Sequence, residues 1–406
     1  MCNLNLLCIL CLEMTLFKAF IYFYKDNLSY ILKQETIAMN DQKYMELALK
    51  LAKKGQGFVS PNPLVGAVIV KDGRILGQGY HQRYGEFHAE RNALASCRES
   101  PAGATMYVTL EPCCHYGKQP PCVHAILEAG ISRIVIGSRD PNPLVAGKGI
   151  DILRSSGVSV SENVLTRECN KLNEVFFHYI QKKEPFVILK YAMTMDGKIA
   201  AYTGLSQWIT GEEARAHVHE QRHRCKAIMV GVGTVLTDNP LLTCRMEGGN
   251  NPVRIICDTH LRTPLSSQIV TTAVHIPTII ATCQTDEEKQ KKYKDAGCHF
   301  LILSKYDEHV NLKELMKKLG EAEIDSILLE GGETLNWSAL KSGIVQKIHA
   351  YIAPKLFGGS TAKTPIGGKG VPSPSHGIKL KESIVTQLGK DFLIESEVCH
   401  HVYGNY

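Results

Sequence analysis

His88-Ala89-Glu90, followed downstream by Glu111-Pro112-Cys113-Cys114-His115-Tyr116-Gly117-Lys118-Gln119-Pro120-Pro121-Cys122, is the stretch on which the reading of this chain turns. It supplies one imidazole, two thiols that each follow a proline, and a carboxylate. Three protein ligands, His88, Cys113 and Cys122, suit a tetrahedral Zn²⁺ and leave its fourth position to water, whose pKa zinc lowers to about 7. Glu90, two residues after His88 at a helix start, is then free to take a proton from that water and deliver it to a ring nitrogen and a leaving amine. Any one of these residues alone reads as a helix cap or a small buried side chain. The ordered set with both Pro-Cys pairs implies a zinc-dependent deaminating hydrolase. Cys114 adjoins Cys113, and neighbouring residues rarely both reach one ion, so it is left out of the ligand set.

The surroundings of this stretch predict a layered α/β domain. Apolar residues recur at Met45, Leu47, Ala48, Leu49, Leu51 and Ala52, an amphipathic helix over 41–54 that ends at Gly55. Strands are predicted over 64–70 and 75–78 around the turn Lys71-Asp72-Gly73-Arg74, and again over 106–110 and 134–137. Helices are predicted over 88–97 and 121–129. Pro185 follows the polar run Gln181-Lys182-Lys183-Glu184, and strands resume at 186–191, 227–230, 253–257, 278–281, 327–329 and 347–352. A domain boundary is therefore placed there, giving an extension over 1–38, a first domain over 39–183 and a second over 184–406. Residues 358–375, rich in Gly and containing Pro, read as a loop.

At 406 residues the chain is longer than one hydrophobic core usually serves, and 44% apolar with 21% charged residues is ordinary globular composition. A net charge of +6 without a long Lys or Arg run gives no sign of a nucleic-acid partner and is compatible with a small anionic substrate. The 14 cysteines are scattered rather than framed as disulfides, which points to a reducing cytoplasm. Leu4 to Leu12 is almost wholly apolar, but Glu13 and Lys18 interrupt any membrane span and no signal-peptide cleavage site follows. The extension is read as non-functional, with a membrane-associating segment as the alternative, and the folded unit as starting near Met39.

Deaminases acting on cytidine or polynucleotides typically carry Pro-Cys-x-x-Cys, whereas eight residues separate Cys113 from Cys122 here. With that spacing the stretch 109–122 closely resembles the bifunctional deaminase/reductase family of riboflavin biosynthesis. Ser60-Pro61-Asn62-Pro63-Leu64-Val65-Gly66, His81, Gly85-Glu86-Phe87-His88-Ala89-Glu90 and Asp140-Pro141-Asn142-Pro143 match the same family. The resemblance implies a cytidine-deaminase-like three-layer α/β/α zinc domain, with His88, Cys113 and Cys122 as ligands and Glu90 as proton shuttle. Asn62, His81, His115, Lys118, Asp140 and Asn142 would shape its substrate pocket. His115 and Lys118 offer donors to a sugar phosphate and Asn62 can pair with a pyrimidine edge. Asn62, Asp140 and Asn142 each adjoin prolines, so a plain turn role stays open. Cys114 stands where the family commonly has a small polar residue.

In the second half, Gly231-Val232-Gly233-Thr234 lacks the third glycine of a dinucleotide fingerprint, and Glu330-Gly331-Gly332-Glu333-Thr334 follows a strand where bare amides can cradle a phosphate or simply turn. Together with Lys190 to Ala200, Ser206 to Thr210 and Thr237 to Arg245, these segments resemble the reductase of the same family. That implies a dihydrofolate-reductase-like α/β domain. Ala192, Trp208, Thr234, Asp238, Gly332, Glu333 and Thr334 would then face NADPH, in a contact stretch running on to Ser338. Lys190, Ser206, Arg222, Leu242, Arg245 and Glu330 would face substrate. Arg222 and Arg245 read either as phosphate forks or as solvated charges, and Trp208 either as a cofactor contact or as core. Lys190 is a candidate to polarise the reacting sugar carbon. Asp258 would hint at NAD in a Rossmann domain, but the fold implied is a different one.

The resemblance implies two successive steps. The first is hydrolytic loss of the 2-amino group of 2,5-diamino-6-ribosylamino-4(3H)-pyrimidinone 5′-phosphate. The second is NADPH-dependent reduction of 5-amino-6-(5-phosphoribosylamino)uracil to the ribitylamino product. A cytoplasmic homo-oligomer without a membrane or nucleic-acid partner is expected. The alternatives are a nucleoside or transfer-RNA deaminase fused to another α/β domain, and a structural zinc module closed by a fourth ligand, for which His115 is the nearby spare.

Overall fold

The computed structural model describes residues 37–117 and 119–399, so Lys118 and nearly all of the extension read over 1–38 lie outside the described residues. Contacts divide the chain into two compact units, one comprising the chain up to Gly55 together with Leu64–Leu172, the other Gln56–Pro63 and the chain from Asn173 on.

Helix α1 spans residues 37–52 and is already formed ahead of the start read at Asn40-Asp41. Asp41 has another partner than its own helix end. Its carboxylate accepts two hydrogen bonds from Arg133, at 2.9 and 2.7 Å, and one from the Tyr107 hydroxyl at 3.0 Å. Strands β1 (Gly66–Lys71), β2 (Arg74–Tyr80), β3 (Thr105–Leu110), β4 (Arg133–Ser138) and β5 (Ser159–Ser161) form a sheet in the order β2-β1-β3-β4-β5. Strand β1 is antiparallel to β2 and β3, while β3, β4 and β5 run parallel. Alternation of side chains sorts the two faces. Val68, Val70, Tyr107 and Val135 pack with Tyr44, Met45, Ala48 and Ala52 of α1. On the other face Gly77 and Gly79 of β2 leave no room for a Cβ against the backbone of α2 (Ala89–Ala95), which lets that helix lie directly on the strand. Helices on both faces make the three layers that the resemblance implies. The helices α3 (Cys122–Glu128), α4 (Lys148–Ser155) and α5 (Thr166–Leu172) complete the unit.

The second unit begins with α6 (Glu174–Lys182), which lies before the boundary read at 183/184. Its tertiary contacts explain the grouping: the Tyr179 hydroxyl donates to Gly320 O at 3.0 Å, and Lys347 Nζ reaches Glu174 at 2.5 Å. The strands are β6 (Phe186–Thr194), β7 (Ala227–Gly231), β8 (Val253–Cys257), β9 (Thr278–Thr282), β10 (Cys298–Ile302), the two-residue pair β11 (Lys305–Tyr306) and β12 (His309–Val310), then β13 (Ser326–Leu329), β14 (Val345–Ala353), β15 (Leu380–Leu388) and β16 (Asp391–Val398). The main sheet has the order β10-β9-β8-β7-β13-β6-β14-β16-β15, parallel from β10 to β14 and antiparallel at β16 and β15. Between them lie α7 (Glu212–Arg224), α8 (Val232–Asp238), α9 (Gln268–Thr271), α10 (Glu287–Asp295), α11 (Leu312–Glu321) and α12 (Glu333–Lys341). One face buries Val187, Leu189, Met229, Ile255, Ile327 and Leu329 with Leu315, Met316 and Leu319 of α11 and Ala339 of α12. The other buries Ile228, Val230, Ile256 and Ile280 with Val232 and Val235 of α8, Ile269 of α9 and Tyr293 of α10. Helices cover both faces of this α/β sheet too, as strands connected in parallel require.

Arg254 on β8 is fully buried, and its hydrogen bonds all go to neutral acceptors: Thr278 Oγ1, Thr272 Oγ1 and the carbonyls of Leu241, Ile269 and Ile276. Burial pulls its guanidinium down to about 10. Arg254→Met is expected to destabilise the second unit by about 2–4 kcal/mol, since three carbonyls lose their donor. Both tryptophans, Trp208 and Trp337, lie in this unit, so the urea midpoint of tryptophan fluorescence reads it directly. A midpoint unchanged from wild type would show that water replaces the guanidinium.

Candidate active sites

In the first unit, three chain segments converge. His88 is the N-cap residue of α2, in extended conformation; Cys113 lies just beyond the end of β3; Cys122 opens α3 after the cap Pro121. His88 Nδ1 is 3.5 Å from Cys113 Sγ and 3.5 Å from Cys122 Sγ, and the three donor atoms lie within 4.8 Å of one another. Among the described residues no fourth His, Cys, Asp or Glu joins this group, so His115 does not close it. One imidazole and two sulfurs with an open side are the donor set of a catalytic rather than a structural zinc site. Cys113 Sγ also accepts from the backbone N–H of Cys122 at 3.3 Å. Hydrogen bonding from the Cys122 thiol, opposed by burial and helped by His88, holds the Cys113 thiol below its ordinary range, so the cluster favours a thiolate. Cys113→Ser is expected to abolish zinc retention on dialysis against a weak chelator, measured by metal analysis, and deaminase activity with it. Full zinc content in this variant would remove Cys113 from the ligand set.

Glu90 is 3% exposed, in the first turn of α2, and burial first, then the charge of Cys113, pushes its carboxyl up to about 7. His81 is buried with its ring 5.2 Å from that of His88, edge to face. His81 Nδ1 lies 3.0 Å from Phe87 O, an acceptor, which puts the proton on Nδ1 of the neutral ring. His115 keeps a buried Nδ1 without a hydrogen-bond partner among the described residues. Asp140 is buried, and its carboxyl is pushed up to about 6 by that burial. Asp140 and Asn142 also shape their own loop: Asp140 Oδ1 accepts from Asn142 N at 2.8 Å, and Asn142 Oδ1 from Leu144 N at 3.1 Å. Asn62 belongs to the segment that groups with the second unit, where its N–H closes a turn on Val59 O at 2.8 Å.

In the second unit, Glu330 follows β13, Lys190 projects from β6 and Arg222 from α7. Arg222 Nε and Nη2 reach Glu330 Oε1 and Oε2 at 2.8 and 2.9 Å, and Lys190 Nζ reaches Oε2 at 3.4 Å. All three side chains are 10 to 15% exposed. Burial would raise the Glu330 carboxyl, but Arg222 and Lys190 more than offset it and hold it at about 2. Arg222 Nη1 also donates to Thr243 O at 3.1 Å, and His219 Nδ1 accepts from Arg245 N at 3.2 Å, so α7 holds the 242–245 loop. Within that loop Leu242 is buried at φ +55, a left-handed conformation strained for leucine.

The turns β7–α8 and β13–α12 lie side by side, because β7 and β13 are paired with Leu329 opposite Met229. Neither helix start carries a side-chain cap, and a Cβ on Gly332 would sit 3.7 Å from Thr234 Oγ1. Two uncapped helix starts side by side leave backbone N–H groups free to meet an anion. Ser206 hydrogen-bonds the exposed Asp238, and the Arg215 guanidinium lies 4.7 Å over the half-exposed Trp208 ring. Glu333 and Thr334 open α12 after Gly332, Ala192 lies within β6 and packs against Ala214, Val218, Tyr351 and Leu393, and Arg245 is exposed on its loop. Residue types alone did not single out Tyr351, fully buried on β14, whose hydroxyl lies 2.8 Å from His217 Nδ1 and whose ring lies 5.9 Å from Lys190 Nζ.

These features define a zinc-binding deaminase joined to a reductase. Residues 38–138 match the cytidine and deoxycytidylate deaminase zinc-binding region, and residues 185–394 match the RibD C-terminal domain. The chain is 54% identical over 357 residues to riboflavin biosynthesis protein RibD of Actinobacillus pleuropneumoniae, covering 88% of this chain and 95% of that one. Among solved structures, an Acinetobacter baumannii RibD superposes with a TM-score of 0.80 at 34% identity, over 89% of this chain and 99% of its own. A Thermotoga maritima diaminohydroxyphosphoribosylaminopyrimidine deaminase/5-amino-6-(5-phosphoribosylamino)uracil reductase does so at 0.78 and 39%, with the same coverage. The chain belongs to the RibD family and is a bifunctional deaminase/reductase of riboflavin biosynthesis.

Proposed function

We propose that the first unit removes the 2-amino group of 2,5-diamino-6-ribosylamino-4(3H)-pyrimidinone 5′-phosphate as ammonia, and that the second reduces 5-amino-6-(5-phosphoribosylamino)uracil with NADPH. The observation that carries the first assignment is a buried carboxylate, Glu90, beside an open His-Cys-Cys cluster that it does not join. His88, Cys113 and Cys122 would hold zinc, which would supply Lewis acidity toward the attacking water. Glu90 holds the proton that this water gives up and returns it to the ring nitrogen and the leaving amine. His81, whose Nε2 is the acceptor nitrogen of its neutral ring, Asp140, Asn142, His115 and Lys118 bind and orient the pyrimidine and its ribosyl phosphate.

In the second unit NADPH supplies hydride. The cradle of Thr234 and Gly332 to Ser338 binds its phosphates, with Ala192, Trp208 and Asp238 along its length. Ser206, Arg222, Leu242, Arg245 and Glu330 bind substrate, and Lys190 stabilises charge at the sugar carbon. Asp258 gives no argument for NADH: it is fully buried, with Oδ2 accepting from Thr263 N and Oγ1 at 2.7 and 2.8 Å, and does not present a carboxylate to a 2′-phosphate at the surface. The unbridged cysteines fit a cytoplasmic setting, and no described helix is long and apolar enough to cross a membrane. Exposed Leu380, Ile384 and Val385 on the outer strand β15 fit a homo-oligomer.

The test follows ammonia release and nicotinamide oxidation separately, with zinc-loaded protein and the diaminopyrimidine ribosyl phosphate. Ammonia without any nicotinamide, and NADPH oxidation only after deamination, is the expected result. No ammonia from metal-replete protein would overturn the pyrimidine assignment, and faster oxidation of NADH than of NADPH would overturn the cofactor.

A further inference from the structure

Glu111 directly follows β3, two residues before Cys113, and is 3% exposed. It touches no ion-pair partner among the hydrogen bonds of the described residues. It collects backbone N–H groups instead: Oε2 accepts from Asp140 at 3.3 Å and Gly147 at 3.0 Å, and Oε1 from Gly149 at 3.0 Å and Ile150 at 3.3 Å. One oxygen thus receives both ends of the segment 140–147, closing it into a loop. The other receives the second and third N–H groups of α4, whose own N-cap, Gly147, has no side chain to offer. The backbone of Glu111 is itself fixed, its N–H donating to Ser138 O at 2.9 Å. Gly149 leaves no space for a Cβ against Pro112 O, so the first turn of α4 is pressed onto the residue that precedes the cysteine ligand. Asp140 and Asn142 lie inside the loop so closed, each shaping it further through its own side chain.

We infer that Glu111 is a positioning residue of the deaminase: its carboxylate sets where Asp140 and Asn142 stand relative to Cys113, and through them how the substrate is held. The inference rests on the reading above in which Asp140 and Asn142 meet the pyrimidine ribosyl phosphate. Four donors converging on two oxygens require an acceptor at both positions, which only an ionised carboxylate provides. A glutamine would turn an NH₂ group toward two of the four N–H groups. Aspartate keeps the charge, but is a methylene too short to span the loop ends and the helix start together.

The experiment uses full-length zinc-loaded enzyme and measures ammonia release without NADPH, with zinc content and NADPH oxidation on the already deaminated substrate as internal measures of folding. Glu111→Gln is expected to raise the deaminase KM roughly 10- to 100-fold, with kcat falling less, while zinc content and reductase rate hold. Glu111→Asp is expected to recover part of that KM. A KM at the wild-type value, or a loss of zinc or of both activities in Glu111→Gln and Glu111→Asp alike, overturns the inference by making Glu111 a dispensable or a purely structural residue. Asn142→Ala separates the two layers of the argument. If it leaves KM unchanged, the pocket assignment itself fails; if it raises KM and Glu111→Gln does not, only the role of Glu111 fails.

Discussion

Glu90→Gln is expected to lower ammonia release by about 10²- to 10⁴-fold while the protein keeps its zinc and its reductase rate on deaminated substrate. Glutamine preserves the volume of a side chain that is 3% exposed on α2, and leaves the donor atoms of His88, Cys113 and Cys122 untouched, so the fold and the metal site should survive. What it removes is the only function the mechanism asks of Glu90, carrying a proton from the nucleophile to the leaving amine. Substrate affinity should change little, because His81, Asp140 and their neighbours are intact, and the loss should fall on kcat. Ammonia release within about tenfold of wild type would mean that another group moves the proton. The buried Asp140, held up near 6, would be the first to examine.

How far the chain was legible before its structure depends on whether an element advertises itself locally. Helices α2 and α3 and strands β1, β3 and β4 did, because each pairs an apolar period with glycine or proline punctuation. Helix α7 did not: its buried positions are Ala214, Val218, Gln221 and His223, so polar residues occupy half of its inner face and blur the period. Strand β15 escaped for the opposite reason, being exposed along nearly its whole length and held only by pairing with β16. Asp41 read as a helix start, but its carboxylate is engaged by Arg133, 92 residues away. The zinc cluster was legible because its residue types are rare in combination. Glu111 was not, although it stands in the same motif, since its partners are backbone N–H groups that no side-chain pattern announces. Arg222 and Glu330 lie 108 residues apart, and only family resemblance brought them into one list.

The second large effect concerns that pair. Glu330→Ala is expected to destabilise the second unit by about 3–5 kcal/mol, because Arg222 and Lys190 then remain buried with no counter-charge. NADPH oxidation should fall by about 10²-fold or more, as Arg222 loses the carboxylate that aims it and Thr243 O alone cannot hold it. Acid dependence gives an independent signature. The Glu330 carboxyl sits at about 2 in the folded protein, below an unfolded value of about 4.3, so between those values the unfolded chain binds more protons. The stability Glu330 contributes, about 3 kcal/mol by that difference, is complete above pH ~4.3 and is lost as pH falls toward 2. Wild type and Glu330→Gln, followed by tryptophan fluorescence in urea, should therefore differ most near neutrality and converge in acid. A gap that stays constant down to pH ~2 would mean that the carboxylate charge is not what holds Arg222 and Lys190 in place.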